Sequence, residues 1–433
     1  MTARMYAVRS LIKVENGGYS NLVIDGVLSR LNDVDAAFCT ALFYTTLERR
    51  ITIDFVLSRL LKKSLSTLDI EILTILRTGL CQIIYLDSVP DYAAIDESVK
   101  MCRALKKASA ASLVNAVLRK ASLFDLDIAV IGLGEIERLS VIHSLDPELT
   151  EMFLSQYGEQ SESIFDGLFK RLPQAIRVNT LKGSMTKIKE MLEAEGIEIV
   201  PTVLPGCFRV KGRSIAGSGL HKNGYIHIQS YSSQAAVHAL APKRRDLVVD
   251  LCAAPGGKTL LAAQLMENEG RIVAFDRHEN RLNLLKDRAL LENVRIVECV
   301  AADSSCFLDE YLGKVDCVIA DVPCSGYGDI NEKPELRYKK PAAGDLIEIQ
   351  RKILSNGAKY LKKGGRLLYS TCTLNKCEND EVVKSFLSNN EGYYIDKEIK
   401  PAGFIKEPEG YLRKLPSEND GEGFFMTVIN RAE

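Results

Sequence analysis

Apolar residues along the first 125 positions recur every three or four places. Leu68, Ile72, Ile75, Gly79, Ile83 and Leu86 make one stripe, and Ile95, Val99, Cys102 and Leu105 make another. That period collects the side chains on one helix face, and Val114, Val117 and Leu118 continue it. Asp91 and Ser109 are candidate N-caps, while Gly17-Gly18 and Pro90 punctuate the connections. Residues 1–125 therefore predict an all-α bundle domain, and Gly132 and Gly134 mark a linker over 126–145. Residues 146–234 mix periods: two helical stretches, a strand over 175–179, a helix over 184–195, and β runs over 197–203, 207–210 and 225–228. A small α+β domain is expected there. From 235 to 433 the pattern becomes strand, loop, helix, repeated, with β-rich runs over 247–251, 271–275, 294–299, 315–320 and 366–369. Such alternation predicts an α/β, Rossmann-like domain. Its parallel sheet would be covered on both faces, with ligands at the C-terminal ends of the strands.

Composition narrows the class. With 46% hydrophobic and 26% charged residues the chain has material for real cores, which excludes disorder as its main state. No apolar run approaches the roughly 18 residues of a membrane span, and Arg4, Arg9 and Lys13 interrupt the start where a secretion signal needs an apolar centre. A cytoplasmic protein, monomeric and without membrane partners, is expected. Eleven cysteines without a Cys-x-x-Cys pair fit neither a disulfide framework nor a structural zinc site, so most should be buried thiols. The five histidines have no metal-like spacing and no metal is expected. A net charge of -1 requires that any nucleic-acid partner meet gathered basic patches. Lys100, Arg103, Lys106, Lys107, Arg119 and Lys120 form such a cluster, which reads either as a solvated helix face or as an RNA-contacting one. Arg177, Asn179, Lys182, Lys211 and Arg213 are weaker candidates for phosphate contact. Lys362 to Gly365 read as a helix end and turn.

The first strand of the last domain runs into Asp250-Leu251-Cys252-Ala253-Ala254-Pro255-Gly256-Gly257-Lys258-Thr259 and then a helix. Small residues let a ligand approach the backbone, and the helix start offers free N–H groups. A phosphate-binding loop would need Gly where Cys252 stands, and no G-x-G-x-x-G occurs here. ATP and NAD lose ground. Asp276 ends the second strand, where a carboxylate can accept both ribose hydroxyls, and Asp303 follows the third, placed for an adenine amino group. An adenosine without a phosphate fingerprint points to S-adenosyl-L-methionine.

Two cysteines follow strands four and five: Cys324 in Asp321-Val322-Pro323-Cys324-Ser325-Gly326, and Cys372 in Thr371-Cys372-Thr373. Structural cysteines more often lie inside strands. A thiol beside a methyl donor has a specific use, because carbon 5 of cytosine is too weak a nucleophile until a thiolate adds to carbon 6. Asp321 or Lys258 would stabilise that adduct at the ring N3. A base must then remove the carbon 5 proton, and Cys324 is the candidate. Cys377 is read as structural, at the start of a helix.

These motifs, Cys252 to Thr259, Asp321 to Gly326 and Thr371 to Thr373, resemble those of RNA cytosine-5 methyltransferases. The helical N-terminal part, with Val114-Asn115-Ala116-Val117-Leu118-Arg119, resembles a NusB-type RNA-binding domain. The combination resembles the bacterial Sun/RsmB family, class I methyltransferases acting on 16S ribosomal RNA, and the likeness covers nearly the whole chain. The resemblance implies Cys372 as nucleophile, Cys324 in product release, and cofactor contacts at Cys252, Ala253, Ala254, Pro255, Gly256, Gly257, Lys258, Asp276, Asp303 and Asp321. It implies ribosomal RNA as partner, not DNA, with the family's cytosine 967 as target. The chain departs from the family pattern at Ser230, where Asp is usual, and over 329–332, where acids replace basic residues near the expected RNA path; Arg337 and Tyr338 match it. Two other readings predict different outcomes. A DNA-type enzyme would use Cys324 as nucleophile, and a non-catalytic RNA-binding factor would bind no S-adenosylmethionine.

Overall fold

The helical period of the first third forms α1 (Ala3–Glu15), α2 (Ser20–Leu28), α3 (Asp33–Glu48), α4 (Arg50–Leu60), α5 (Ile70–Tyr85), α6 (Asp91–Ala104) and α7 (Ala111–Ala121). The structure, a computed structural model, describes residues 1–433 except 19, 172, 213–214, 342–343 and 417–420. Arg213 thus lies outside the described residues. Among those described, no helix is long and apolar enough to cross a membrane.

The chain divides into two compact units, Met1–Phe169 with Ile330–Pro341, and Lys170–Asp329 with Ala342–Glu433. In the first, α5 is the central helix, buried from Ile72 to Gln82. Gly79 lies on its predicted stripe because α7 crosses there: a Cβ would stand 2.6 Å from Leu118 Cδ1. Other expectations shift. The buried face of α6 is Ala94, Ser98, Met101 and Cys102, leaving Ile95 and Val99 half-buried. Pro90 takes the cap position ahead of Asp91, and Ser109 sits in a 3-10 turn before α7 rather than capping it. The stretch 126–145, read as a linker, holds α8 (Leu126–Ala129) and α9 (Glu135–His143). It is tied to α4, with Thr52 Oγ1 donating to the Val141 carbonyl at 2.5 Å and Ile51 N to Ser144 Oγ at 3.0 Å. Then follow α10 (Pro147–Tyr157), capped by Asp146 with Pro at its first turn, and α11 (Ser161–Gly167).

The segment 330–341, placed by sequence near the RNA path, belongs to this helical unit. Its 3-10 helix Pro334–Tyr338 buries Arg337, whose Nη1 and Nη2 donate to the carbonyls of His143 at 3.0 Å and Leu168 at 2.7 Å. The guanidinium lies over Phe169 at 3.9 Å, and burial lowers its pKa to about 10. Arg337 is therefore a buried anchor and not a phosphate ligand.

The second unit carries two sheets. β1 (Ala175–Val178), β2 (Ile199–Pro201), β3 (Cys207–Val210) and β4 (Ile226–Ile228) form an antiparallel sheet in the order β2-β3-β1-β4. Its helices are α12 (Met185–Ala194), capped by Ser184, and the short α13 (Gly219–Lys222). After α14 (Tyr231–Leu240) come β5 (Leu247–Asp250), α15 (Gly257–Leu265), β6 (Arg271–Asp276), α16 (Glu279–Leu291), β7 (Val297–Ala301) and β8 (Val315–Asp321). The chain closes with α17 (Gly344–Tyr360), β9 (Leu361–Thr371), α18 (Asp380–Asn389), β10 (Tyr393–Ile395), β11 (Ile405–Lys406), β12 (Leu412–Lys414) and β13 (Phe424–Arg431). The large sheet runs β11-β12-β13-β9-β8-β5-β6-β7, with β10 also on β13.

Strands β5 to β9 pair in parallel as expected, but β10 to β13 extend the sheet antiparallel, so it is mixed. Lys362 to Gly365 start β9 instead of ending a helix, and Cys377 lies in the turn before α18. Alternate strand residues serve opposite faces. Val248, Ile272 and Ile319 pack with α14 and α15, while Val249, Val273 and Val318 pack with α17 and α18.

Candidate functional site

The loops at the C-terminal ends of β5 to β9 bring the sequence-predicted residues together. β5 ends at Asp250, fully buried, which accepts Thr259 Oγ1 at 2.7 Å and so fastens the start of α15 to the strand. Gly256 caps that helix with φ +114°, a conformation that favours glycine. Cys252 to Gly257 thus pass between strand and helix. Burial, reinforced by Asp250, pushes the Cys252 thiol well above its ordinary value, so it is no nucleophile.

Asp276, at the end of β6, is nearly buried and accepts the His278 N–H at 2.9 Å, with Arg281 Nη1 at 3.0 Å. Asp303, after β7, is half-buried and accepts from Ser305 N at 2.9 Å and Oγ at 2.6 Å. Asp321 ends β8, where Ser370 Oγ donates to it at 2.7 Å and Lys258 Nζ lies 2.7 Å away. Burial opposes the Lys258 charge, but the Asp321 carboxylate outweighs it and holds the lysine pKa above its usual value.

The donor set discriminates between ligands. Asp276, Asp303 and Asp321, at three successive strand ends, can accept hydroxyl and amino hydrogens, and the cations beside them are already engaged: Lys258 by Asp321, Arg281 by Asp276 and Arg277 by Asp303 at 3.6 Å. An adenosyl group with an amino acid tail fits these residues; a nucleotide polyphosphate does not.

The two cysteines converge. Cys324, three residues past β8, and Cys372, directly past β9, place their Sγ atoms 3.3 Å apart. Their loops are stitched together by the backbone: Gly328 N donates to the Cys372 carbonyl at 2.8 Å, and Gly423 N donates to the Gly328 carbonyl at 2.9 Å. Gly328 has room for no side chain, since a Cβ would stand 2.0 Å from the Gly423 carbonyl oxygen. Of the other thiols, Cys39, Cys81, Cys102, Cys207 and Cys317 are buried as expected, whereas Cys252, Cys299 and Cys377 are half-buried and Cys306 is exposed, so fewer are buried than the sequence implies. Burial pushes Cys39 to about 11 and Cys81 and Cys317 to about 12, leaving them protonated at neutral pH.

Several residues near the site escaped the sequence reading. Ser370 steadies Asp321, and Glu378 with Asn379 underlies both cysteine loops. No spacing marks them, because their partners lie on other strands. Conversely, Arg177 is buried and bonded to Glu292 and Gln264, so it cannot meet phosphate. The departure at Ser230 also has a reason: its Oγ caps α14 by accepting from Ser233 N, as an Asp would.

Asp250 yields a pH prediction. Burial, with repulsion from Asp321 behind it, raises its pKa from 3.8 to about 7. The folded chain keeps a proton that the unfolded chain loses near 3.8, so this group's contribution to stability falls as pH rises from about 4 to 7. In Asp250→Asn that part of the melting-temperature profile is expected to flatten; an unchanged slope would contradict the assignment.

The fold and the carboxylate-lined strand ends define an S-adenosylmethionine-dependent methyltransferase. The family model for 16S rRNA methyltransferase RsmB/F matches residues 237–430. The NusB family model matches 1–122, and the ferredoxin-like domain of RsmF/B-like methyltransferases matches 149–214. A Bacillus subtilis relative, "Probable ribosomal RNA small subunit methyltransferase B", is 33% identical over 444 residues and 99% of each chain. The crystal structure of PH0851 is 26% identical with TM-score 0.84, covering 100% of this chain and 99% of that one. A methyltransferase homologue from Pyrococcus horikoshii is 28% identical with TM-score 0.60, covering 69% of this chain and 100% of that one. The chain belongs to the ribosomal RNA small subunit methyltransferase B family.

Proposed function

We propose that this chain methylates carbon 5 of a cytosine in 16S ribosomal RNA, the family's cytosine 967, in the cytosol. The observation that carries the reading is the 3.3 Å pair of thiols, Cys324 and Cys372, at neighbouring strand ends. Cys372 adds as thiolate to carbon 6 of an unstacked base, which turns carbon 5 into an enamine-like nucleophile. Lys258, kept protonated by Asp321 and within electrostatic range of Cys372, stabilises the charge that develops on the ring. Cys252 to Lys258, Asp276, Asp303 and Asp321 would hold S-adenosylmethionine, which supplies the methyl group as an electrophilic sulfonium carbon. Cys324 then takes the carbon 5 proton, and the Cys372–carbon 6 bond breaks to release the product.

The RNA face is assigned to the helical unit. Tyr92, Ile95, Val99, Arg103, Asn115 and Arg119 line a groove of about 650 Å³ between α6 and α7. Arg103 and Arg119 are exposed and, among the described residues, form no ion pair, whereas Lys100 is held by Asp96 and Glu97 and Lys107 by Asp69. Bisulfite sequencing of 16S RNA from a strain lacking the protein is expected to show one unmethylated cytosine that the wild-type gene restores. If no ribosomal cytosine loses its methyl group, the assignment is wrong. Complementation with the Arg103→Glu, Arg119→Glu double variant should restore the mark only in part, its RNA affinity falling on the order of tenfold through two reversed charges.

A further inference from the structure

One buried carboxylate beside the cysteines takes no part in the chemistry above. Glu378 is fully buried in the turn before α18. Its Oε2 accepts Ser325 N and Gln350 Nε2, both at 2.9 Å, and its Oε1 accepts Ser325 Oγ at 2.6 Å and Asn375 Nδ2 at 3.1 Å. A carboxylate offers about four lone-pair sites, and all are taken by uncharged donors. Among the described residues no cation pairs with it. Burying an acid without a counter-charge is costly, so the position is a poor choice for stability alone.

Three of the four bonds bracket Cys324. Glu378 holds the residue after it by both main chain and side chain, while Gln350 Nε2 also donates to the carbonyl of Pro323, the residue before it, at 2.9 Å. The next side chain, Asn379, brackets Cys372 in the same way. Its Oδ1 accepts Thr371 Oγ1 at 2.6 Å, and its Nδ2 donates to the Thr373 carbonyl at 3.0 Å. A 2.6 Å hydrogen bond between Ser325 Oγ and Thr373 Oγ1 closes the ring, and Tyr369 OH fixes the Glu378 carbonyl at 2.7 Å. Two successive residues thus grip the flanks of both thiols.

We propose that Glu378 is a positioning residue that sets the reach of Cys324. By clamping the loop through Ser325 and Gln350 against the segment that Asn379 holds, it keeps the Cys324 sulfur where it can take the carbon 5 proton of a base attached to Cys372. The inference rests on the two-cysteine reading. A displacement of about 1 Å in a reacting group costs on the order of 100-fold in rate. Proton removal should therefore suffer most, and Cys372 addition little, since two hydrogen bonds from Asn379 hold its flanks besides the Ser325–Thr373 bond.

The test compares Glu378→Gln and Ser325→Ala with wild type and with Cys324→Ala. In Glu378→Gln an amide N–H₂ must face donors that now meet oxygen; in Ser325→Ala the side-chain half of the clamp is lost. Calorimetry with S-adenosylmethionine and melting curves check the fold. Denaturing gels measure the RNA–protein adduct, and single-turnover assays the methyl product. Both variants are expected to bind S-adenosylmethionine within about twofold of wild type. Both should form the adduct at the wild-type rate yet accumulate it as Cys324→Ala does, with kcat reduced roughly 10- to 100-fold. Wild-type turnover in Glu378→Gln overturns the proposal. So does a parallel fall in adduct formation and turnover, the pattern of a merely structural residue. If Cys324→Ala itself releases product at the wild-type rate, the two-cysteine reading falls first and takes the proposal with it.

Discussion

Cys372→Ala is expected to abolish methyl transfer, by on the order of 10⁴-fold or more, and to leave no covalent RNA–protein complex on a denaturing gel. Without the thiolate, carbon 5 never becomes nucleophilic, and no other sulfur can substitute. Cys252 is held protonated by burial, and Cys324 sits on a loop whose backbone is fixed by Glu378 and Gly328. Cys324→Ala should do the reverse: the adduct forms and persists, because the proton on carbon 5 has no acceptor at 3.3 Å from the attached sulfur. The pair of variants separates this reading from the DNA-type alternative. An adduct lost in Cys324→Ala and retained in Cys372→Ala would exchange the two roles.

Glu292→Gln should lower the apparent melting temperature by on the order of 10 °C, corresponding to about 3–5 kcal/mol for a broken buried ion pair. Glu292 is fully buried at the end of α16. It accepts Arg177 Nη2 at 2.9 Å from β1, His227 Nδ1 at 2.5 Å from β4, and Arg288 Nε at 2.6 Å from its own helix. The carboxylate therefore ties the antiparallel sheet to α16, while Arg177 Nη1 reaches Gln264 of α15 at 2.6 Å. An amide would leave Arg177 desolvated without its counter-charge. Burial would raise the Glu292 pKa, but His227, Arg177 and Arg288 outweigh it and hold the carboxyl at about 2. Its stabilisation is present above the unfolded value of 4.5 and is lost as pH falls from there towards 2. Melting curves at neutral pH check the size; a shift below about 2 °C would show that the ions contribute little.

Much of the fold was legible because its signals are local. The 3.6-residue period located the helices around Gly79 and Val114, and short β-rich runs located β1, β3 and the parallel strands β5 to β9. The cofactor and cysteine motifs were legible for the same reason. A strand that ends in a short loop writes that loop's pattern into a few consecutive residues, as in Cys252 to Lys258 or Pro323 to Ser325. Charge was read less well. Arg177 reads in sequence as a phosphate contact, since nothing in its neighbours along the chain announces the buried Glu292 carboxylate.

The order of apolar and small residues was enough to specify the helical bundle and the α/β domain and to mark the loops proposed for the cofactor and the thiols, each of which depends on neighbours within about one element. Pairing across the sheet had to come from the folded chain. It put β13 antiparallel against β9, sent 330–341 into the helical unit, joined Arg177 to Glu292 over 115 positions, and brought Cys324 to 3.3 Å from Cys372 over 48. These contacts are set by which strand ends meet and which charges can be buried together. Such energies depend on distance in space, and a one-dimensional pattern does not carry that distance.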